Sequence, residues 1–105
     1  MEKIKGLVYG DVNLNIIDGS SVWLTSLINV LGINPDINID LLLKVPITKY
    51  DLVNSIDKYE NIKKIDPQKL IKVNRLNPEQ ANDLIKLNDE KENYDFIFLR
   101  GSINQ

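Results

Sequence analysis

The chain has 105 residues, of which 43% are hydrophobic and 27% are charged, and its formal net charge is −2. A chain of this size and composition is expected to fold as one soluble globular domain over residues 1–105. The negative charge argues against a nucleic-acid partner, which requires a basic face. The sequence contains no cysteine and no histidine, which excludes thiolate chemistry and the commonest general base and metal ligand. We therefore predict no metal site and no bound cofactor.

The chain shows no targeting or membrane signal. Its charged start, Met1–Lys5, leads directly into an apolar segment, and no small-residue cleavage site follows. No apolar run approaches the roughly 20 residues of a membrane span. We expect a cytoplasmic protein without a membrane span.

A buried strand, a polar turn and an amphipathic helix open the chain. The strand is predicted over Ile4–Tyr9 and ends at Gly10–Asp11, as a central parallel strand would. The helix is predicted from about Ser20 to Leu31, and Gly32 is a candidate C′ stop. Its apolar face comprises Trp23, Leu24, Leu27, Ile28 and Leu31. At this spacing Trp23 is assigned to the core rather than to a ligand platform.

The turn from Asp18 to Ser21 allows two interpretations. Asp18, Ser20 or Ser21 is able to cap the helix, and Gly19 permits close approach to the backbone. Free N–H groups and the positive end of the helix dipole suit an anion such as phosphate. Alternatively, the turn only starts a helix.

The middle of the chain continues the alternation of strands and helices. A second strand, Ile37–Leu43, completes a βαβ unit, and its two strands are expected to be parallel. A weaker pattern predicts a short helix over Thr48–Ile56, capped by Thr48 or Asp51. A third strand is predicted over Ile62–Asp66, and Leu70–Leu76 is predicted to be a short strand or an irregular connection.

The last third of the chain contains the clearest helix start. Asn77 is the predicted N-cap, Pro78 occupies the first helical position, and Gln80 completes a capping box. A dense apolar strand over Phe96–Leu99 follows. The predicted core comprises Leu7, Tyr9, Leu24, Leu27, Ile28, Leu41, Leu43, Leu84, Ile85, Ile97 and Leu99.

This pattern predicts an α/β fold, a Rossmann-like three-layer sandwich with a mostly parallel sheet. Ligands of such sheets bind outside the carboxyl ends of the strands, near the topological switch point. The candidate substrate- or phosphate-binding residues at that edge are Asp11, Gly19, Ser20, Ser21, Arg100 and Gly101. Arg100 has a second interpretation, a plain surface ion pair with Asp11.

Three segments resemble the start of a family 4 glycosyltransferase, an enzyme with two facing Rossmann-like domains (GT-B fold). They are Gly6–Asp11, Asp18–Leu24 and Tyr94–Gly101. The resemblance implies that the chain belongs to the domain that receives the acceptor. It also implies that Gly19 and Ser20 approach the phosphate of a nucleotide-sugar donor or the acceptor.

The resemblance further implies transfer of a hexosyl group to a cell-envelope or polysaccharide glycan acceptor. Such enzymes hold the donor chiefly with a second domain, through a glutamate pair that this chain lacks. We therefore expect a truncated GT-B N-terminal domain that is not catalytically competent alone. The open edge of its strand Phe96–Leu99 is expected to favour a homodimer.

Other function classes remain open at this stage. A flavodoxin-like or receiver-like signalling module would use Asp11, and would use Asp66 if Ile62–Ile65 were the central third strand. A non-catalytic interaction domain is a further alternative. The carboxylate clusters Asp36/Asp40 and Asp89/Glu90/Glu92 are interpreted as solvated surface, because no histidine or buried setting tunes them.

Overall fold

The computed structural model describes residues 3–99, and within them a four-stranded sheet lies between helices. The strands are β1 (Ile4–Tyr9), β2 (Ile37–Leu42), β3 (Ile62–Ile65) and β4 (Phe96–Leu99). The helices are α1 (Gly19–Gly32), α2 (Pro67–Ile71) and α3 (Pro78–Glu92), with a 3-10 turn at Val53–Ser55. The predicted α/β fold class is confirmed. No helix in this part of the chain is long and apolar enough to cross a membrane.

All strand pairs in the sheet are parallel, and the spatial order is β3-β2-β1-β4. Gly6 of β1 pairs with Ile39 of β2 on one side and with Phe96 of β4 on the other. The chain builds outward from β1 to β3 and then returns to the opposite side of β1. The topological switch point therefore lies between the carboxyl ends of β1 and β4.

This strand order distinguishes between two kinds of doubly wound sheet. In the Rossmann arrangement the first four strands run 3-2-1-4, whereas in the flavodoxin and receiver arrangement β1 lies between β2 and β3. Here β3 is an edge strand, so the condition under which Asp66 would act as a phosphate acceptor is not met. Asp66 instead caps α2, since its Oδ1 accepts a hydrogen bond from the Gln68 N–H at 2.9 Å.

Alternate residues of the central strands build one apolar core on each face of the sheet. On the first face, Val8 and Leu41 pack with Leu24 and Ile28 of α1. On the second face, the core comprises Leu7, Tyr9, Leu42, Leu76, Ala81, Leu84 and Ile85. Because both faces are covered, β1 and β2 are nearly continuously apolar. The predicted three-layer arrangement is confirmed.

The helix predictions have different outcomes, and the predicted start of α3 is confirmed. The capping box of α3 is present, with Asn77 and Gln80 bonding each other's backbone N–H groups at 2.8 and 3.1 Å. Among the alternatives for α1, Asp18 is the N-cap. The predicted helix over Thr48–Ile56 is reduced to the 3-10 turn, whose N-cap position, Leu52, offers no side-chain acceptor. The interpretation of Leu70–Leu76 was wrong for Leu70 and Ile71, which belong to α2, whereas residues 72–76 form the irregular connection that was one of its two alternatives.

Gly32 has a different role from the predicted C′ stop. It is the last residue of α1, and Ile33 at the C-cap has an ordinary right-handed φ of −62°. A β-carbon on Gly32 would lie 2.7 Å from the Tyr59 ring. Glycine is therefore required here for close packing rather than for a left-handed conformation.

Four core assignments also need correction. Leu27 and Leu99 are only half-buried, while Ile97 is 36% exposed. Trp23 is also 36% exposed, and its ring lies beside that of Phe98. Ile97 and Leu99 belong to β4 and Trp23 contacts Phe98 of that strand, and no further strand covers this edge within residues 3–99. The other predicted core residues are buried.

Candidate functional site

A compact polar cluster lies where β1 and β2 end. Asp11 follows β1 and Lys44 follows β2, and the lysine Nζ lies 2.9 Å from Asp11 Oδ1. The Asp11 side chain is only 15% exposed and the Lys44 side chain only 20%, so water screens the two charges weakly. The Tyr9 hydroxyl donates a longer hydrogen bond of 3.4 Å to the same carboxylate oxygen. The carboxyl edge of the sheet thus carries a partly buried ion pair.

The backbone of Asp11 is itself unusual. Its φ is 52°, in the left-handed region that non-glycine residues seldom adopt. Asp tolerates this region better than most residues, and the ion pair with Lys44 holds the carboxylate in place. Such local strain is concentrated at ligand-binding and catalytic sites.

The surroundings of Tyr9 in this cluster favour its protonated form, which acts as a hydrogen-bond donor. Its side chain is fully buried, and burial raises the pKa of the phenol well above 10, with the charge of Asp11 adding to the rise. The positive charge of Arg75 partly opposes this rise in pKa. Tyr9 therefore keeps its proton at physiological pH and does not serve as a base.

The start of α1 presents two unoccupied donors at the same edge. The Ser21 N–H donates to Asp18 Oδ1 at 2.8 Å, and the Ser21 hydroxyl donates to the Asp18 carbonyl at 3.1 Å. By contrast, no hydrogen bond among residues 3–99 uses the N–H of Gly19 or Ser20, and both residues are exposed. A β-carbon on Gly19 would meet nothing within 4 Å. An approaching anion therefore has open access to these two amides.

Asn15 fixes the loop that leads to this helix. Its side-chain amide donates to the Pro46 carbonyl at 2.9 Å. Its Oδ1 accepts hydrogen bonds from the Thr48 and Lys49 N–H groups at 2.7 and 3.0 Å. One side chain therefore joins the loops that follow β1 and β2, and these are the loops that carry Asp11 and Lys44.

The sequence-predicted site residues have different outcomes. Asp11, Gly19 and Ser20 lie at the carboxyl edge, as expected from the parallel sheet. Ser21 is fully buried and its amide is occupied by Asp18, so it is not available to a ligand. Arg100 and Gly101 lie outside the described residues, so the alternative ion pair of Arg100 stays a prediction.

Sequence reasoning missed Tyr9 and Lys44, which form the cluster with Asp11, and Asn15, which fixes the adjoining loops. Lys44 carried a usable signal, since a charged residue directly after the apolar run Leu41–Leu43 must leave the sheet at its carboxyl edge. Asn15 carried none, because only the folded loops bring it to this edge.

A second buried polar pair lies away from the carboxyl edge. Asp40, interpreted from the sequence as solvated surface, is only 7% exposed in the middle of β2. Its carboxylate accepts a 2.5 Å hydrogen bond from the Tyr94 hydroxyl, at the start of β4. The same residue borders a cleft of about 210 Å³ that also includes Lys63, Lys69 and Glu92.

This second cluster is best explained as a structural tie. The Lys5 side-chain nitrogen Nζ donates a hydrogen bond of 2.7 Å to Glu92 Oε2, and this contact lowers the pKa of the Glu92 carboxyl group. The Lys5 N–H also donates to Asp95 Oδ2 at 2.8 Å. These contacts join β1, α3 and the start of β4. Within residues 3–99, no three acidic side chains converge as a metal site would require.

Comparisons with protein families, with curated proteins and with solved structures find no match to this chain.

Proposed function

We propose that this chain is the acceptor-side, Rossmann-like part of a sugar-nucleotide-dependent glycosyltransferase, and that it binds its ligand at the carboxyl edge of the sheet. The observation that carries the proposal is the open start of α1 at the sheet edge that also carries the Asp11–Lys44 pair. The sheet order supports it, because in doubly wound sheets the ligand crevice lies outside the carboxyl ends of the strands at the switch point, here between β1 and β4. The sequence resemblance supplies the reaction class.

The chemistry of this edge favours an anionic ligand. The exposed Gly19 and Ser20 amides lie at the positive end of a 14-residue helix. Lys44 at the same edge is paired with Asp11, and the Asp18 carboxylate caps the helix through the Ser21 amide, which leaves the Gly19 and Ser20 amides as the donors for a ligand. The diphosphate of a nucleotide sugar, or a phosphate-bearing acceptor, suits two free amide donors at the positive end of a helix dipole.

We assign binding rather than proton transfer to these residues. The sequence has no histidine, and the raised pKa of Tyr9 keeps that side chain protonated. The Asp11 carboxylate already accepts a hydrogen bond from the Tyr9 hydroxyl and pairs with Lys44 through the same oxygen. In the proposed enzyme, glycosyl transfer to a glycan acceptor takes place only when the domain that holds the nucleotide sugar faces this edge.

The proposal is tested by titrating the ¹⁵N-labelled chain with uridine diphosphate and, separately, with uncharged uridine. We expect the Gly19 and Ser20 amides to shift with the diphosphate only, with a dissociation constant of roughly 1 mM or weaker. If these amides stay still while others shift, the assignment of this edge is wrong. Equal shifts with uridine would contradict recognition of the phosphate.

Two variants of nearly equal size distinguish the effect of charge on binding from the effect of an added side chain. Gly19→Asp adds a carboxylate where the anion would bind, whereas Gly19→Asn adds a side chain of nearly the same size without the charge. Because space at Gly19 is open, both variants should fold. We expect Gly19→Asp to abolish the shifts and Gly19→Asn to retain most of them. Equal binding by the two variants would overturn the proposed anion site.

A further inference from the structure

The structural tie of the second cluster leaves several charged groups of the adjoining cleft unpaired. This cleft, of about 210 Å³, lies between the edge strand β3, the short helix α2 and the C-terminal end of α3. Four lysines and three acidic residues line it. It opens on the α3 face of the sheet, whereas α1 packs on the opposite face. The cleft is therefore separate from the proposed ligand site at the start of α1.

Three of the four lysines have no acidic partner. Lys64 is paired with Asp57. In the described part of the chain, no ion pair involves Lys63, Lys69 or Lys91. These three come from β3, α2 and α3, so only the folded chain brings them to one cleft. All three are exposed, which leaves their ammonium groups available to an anion.

A carboxylate oxygen without a donor faces the same cleft. Asp40 is only 7% exposed, and its Oδ2 accepts the hydrogen bond from Tyr94. No hydrogen bond or ion pair among residues 3–99 uses the other oxygen, Oδ1. Because no buried side-chain oxygen in this range lacks a partner, Oδ1 must be open to the cleft that Asp40 lines. The cross-strand partner Lys63 leaves the sheet on the same face, but it forms no ion pair with Asp40.

We propose that this cleft binds a compact anion that also carries a hydroxyl group, namely a phosphate ester of a small polyol. The phosphate lies among Lys63, Lys69 and Lys91, and the hydroxyl donates a hydrogen bond to Asp40 Oδ1. A ligand ammonium group would also satisfy this oxygen, but it would bring a fourth cation among three unpaired lysines. The cleft is smaller than the roughly 300–1,000 Å³ of pockets for drug-sized molecules, which favours a small ligand.

Titration of the ¹⁵N-labelled chain with glycerol 3-phosphate tests this inference, which does not rest on the proposed function. We expect the Lys63 and Lys69 amides to shift, with a dissociation constant of roughly 1–10 mM, because each exposed lysine contributes little. No shift at about 50 mM, where such a site would be mostly occupied, would overturn the proposal. Shifts confined to the Gly19 and Ser20 amides would do the same, because the ligand would then bind at the other site.

Methyl phosphate is the matched ligand, because it has the same charge and no hydroxyl group. It should bind at least about threefold more weakly than glycerol 3-phosphate, as expected for the loss of one hydrogen bond. Asp40→Asn keeps the size of the side chain but has one oxygen, which Tyr94 occupies, so this preference should disappear. Equal binding of the two phosphates by the wild-type chain, or a preference retained in folded Asp40→Asn, contradicts the hydroxyl contact. If Asp40→Asn fails to fold by circular dichroism, the wild-type comparison decides.

Two lysines of α3 provide matched variants for the anion. Lys91 lines the cleft, whereas Lys86, which is exposed on the same helix, does not. Lys91→Gln should weaken the binding of glycerol 3-phosphate about two- to fivefold, and Lys86→Gln should leave it unchanged. Equal weakening by the two variants would show only a general attraction of anions to lysines and would overturn the site.

Discussion

The ring of Phe96 in β4 occupies the space that a side chain on Gly6 of β1 would need. The two residues are direct cross-strand partners, and a β-carbon on Gly6 would lie 2.2 Å from Phe96 Cζ. An aromatic side chain packed over a strand glycine recovers apolar contact that the glycine cannot supply. The absence of a side chain on Gly6 therefore leaves the space that the Phe96 ring fills.

Gly6→Ala should destabilise the protein by about 1–3 kcal/mol, because the Phe96 ring must move and overpacking a core carries this cost. Urea denaturation followed by circular dichroism measures the change. Gly19→Ala is the matched control, since a β-carbon there meets nothing within 4 Å. Gly19→Ala should not lower the free energy of unfolding and should raise it by up to about 1 kcal/mol. Equal stability of the two variants would contradict the Gly6–Phe96 contact.

Alkaline pH should destabilise the fold through two tyrosines. Burial is the main cause that raises the pKa of Tyr9 and of Tyr94 above 10, and the carboxylates of Asp11 and Asp40 reinforce it. Below pH 10 both tyrosines are protonated in the folded and the unfolded chain, so their full contribution to stability is present. Above pH 10 the unfolded chain loses protons that the folded chain retains, so the free energy of unfolding falls.

Unfolding measured between pH 8 and pH 11 tests this dependence. Tyr94→Phe should weaken the decline, because one of the two titrating groups is removed. The same variant should lower stability near pH 7 by about 1–3 kcal/mol, since it leaves the buried Asp40 carboxylate without its phenol partner. A pH profile unchanged by Tyr94→Phe would rule out this tyrosine as a source of the dependence.

Asn61 should be important for the junction between α1 and β2. Its side-chain nitrogen lies within 3.2, 3.0 and 2.8 Å of the carbonyl oxygens of Gly32, Asn34 and Ile37. Asn61→Ala should cost about 1–3 kcal/mol, because carbonyl groups lose their donor. Asn61→Asp should cost more at pH 7, since a carboxylate would face three carbonyl oxygens. The additional loss of stability in Asn61→Asp, relative to Asn61→Ala, should become smaller below about pH 4, where the new carboxyl group becomes protonated.

Asn15 should control the mobility of the loops at the carboxyl edge. Asn15→Ala removes the acceptor for the Thr48 and Lys49 amides, so their hydrogen exchange should accelerate relative to the wild-type chain. The amides of the central strand β1 serve as the internal control and should exchange as before. Uniform acceleration across the chain would indicate global destabilisation instead of a local role for Asn15.

Local sequence chemistry determined the elements that carry their own signals. The bounds of β1 were predicted as they are observed, because its apolar run ends at Gly10. The start of α3 was predicted at Asn77–Pro78, because a cap and a first-turn proline act within four residues. Fold class and the parallel sheet followed from the order of these elements. Asp11 and Gly19 were placed at the carboxyl edge by the same reasoning.

Only the tertiary structure decided how far each side chain is buried and which side chains meet across the sheet. Ile97 has the same hydrophobicity as Ile39, yet Ile39 is buried between two strands and Ile97 is 36% exposed at the end of the sheet. Asp40 is buried only because Tyr94, 54 residues later, supplies its hydrogen bond. Lys44 and Asp11 form their pair only because β1 and β2 end side by side. These contacts depend on chain closure over long separations, whereas propensity and capping act between near neighbours.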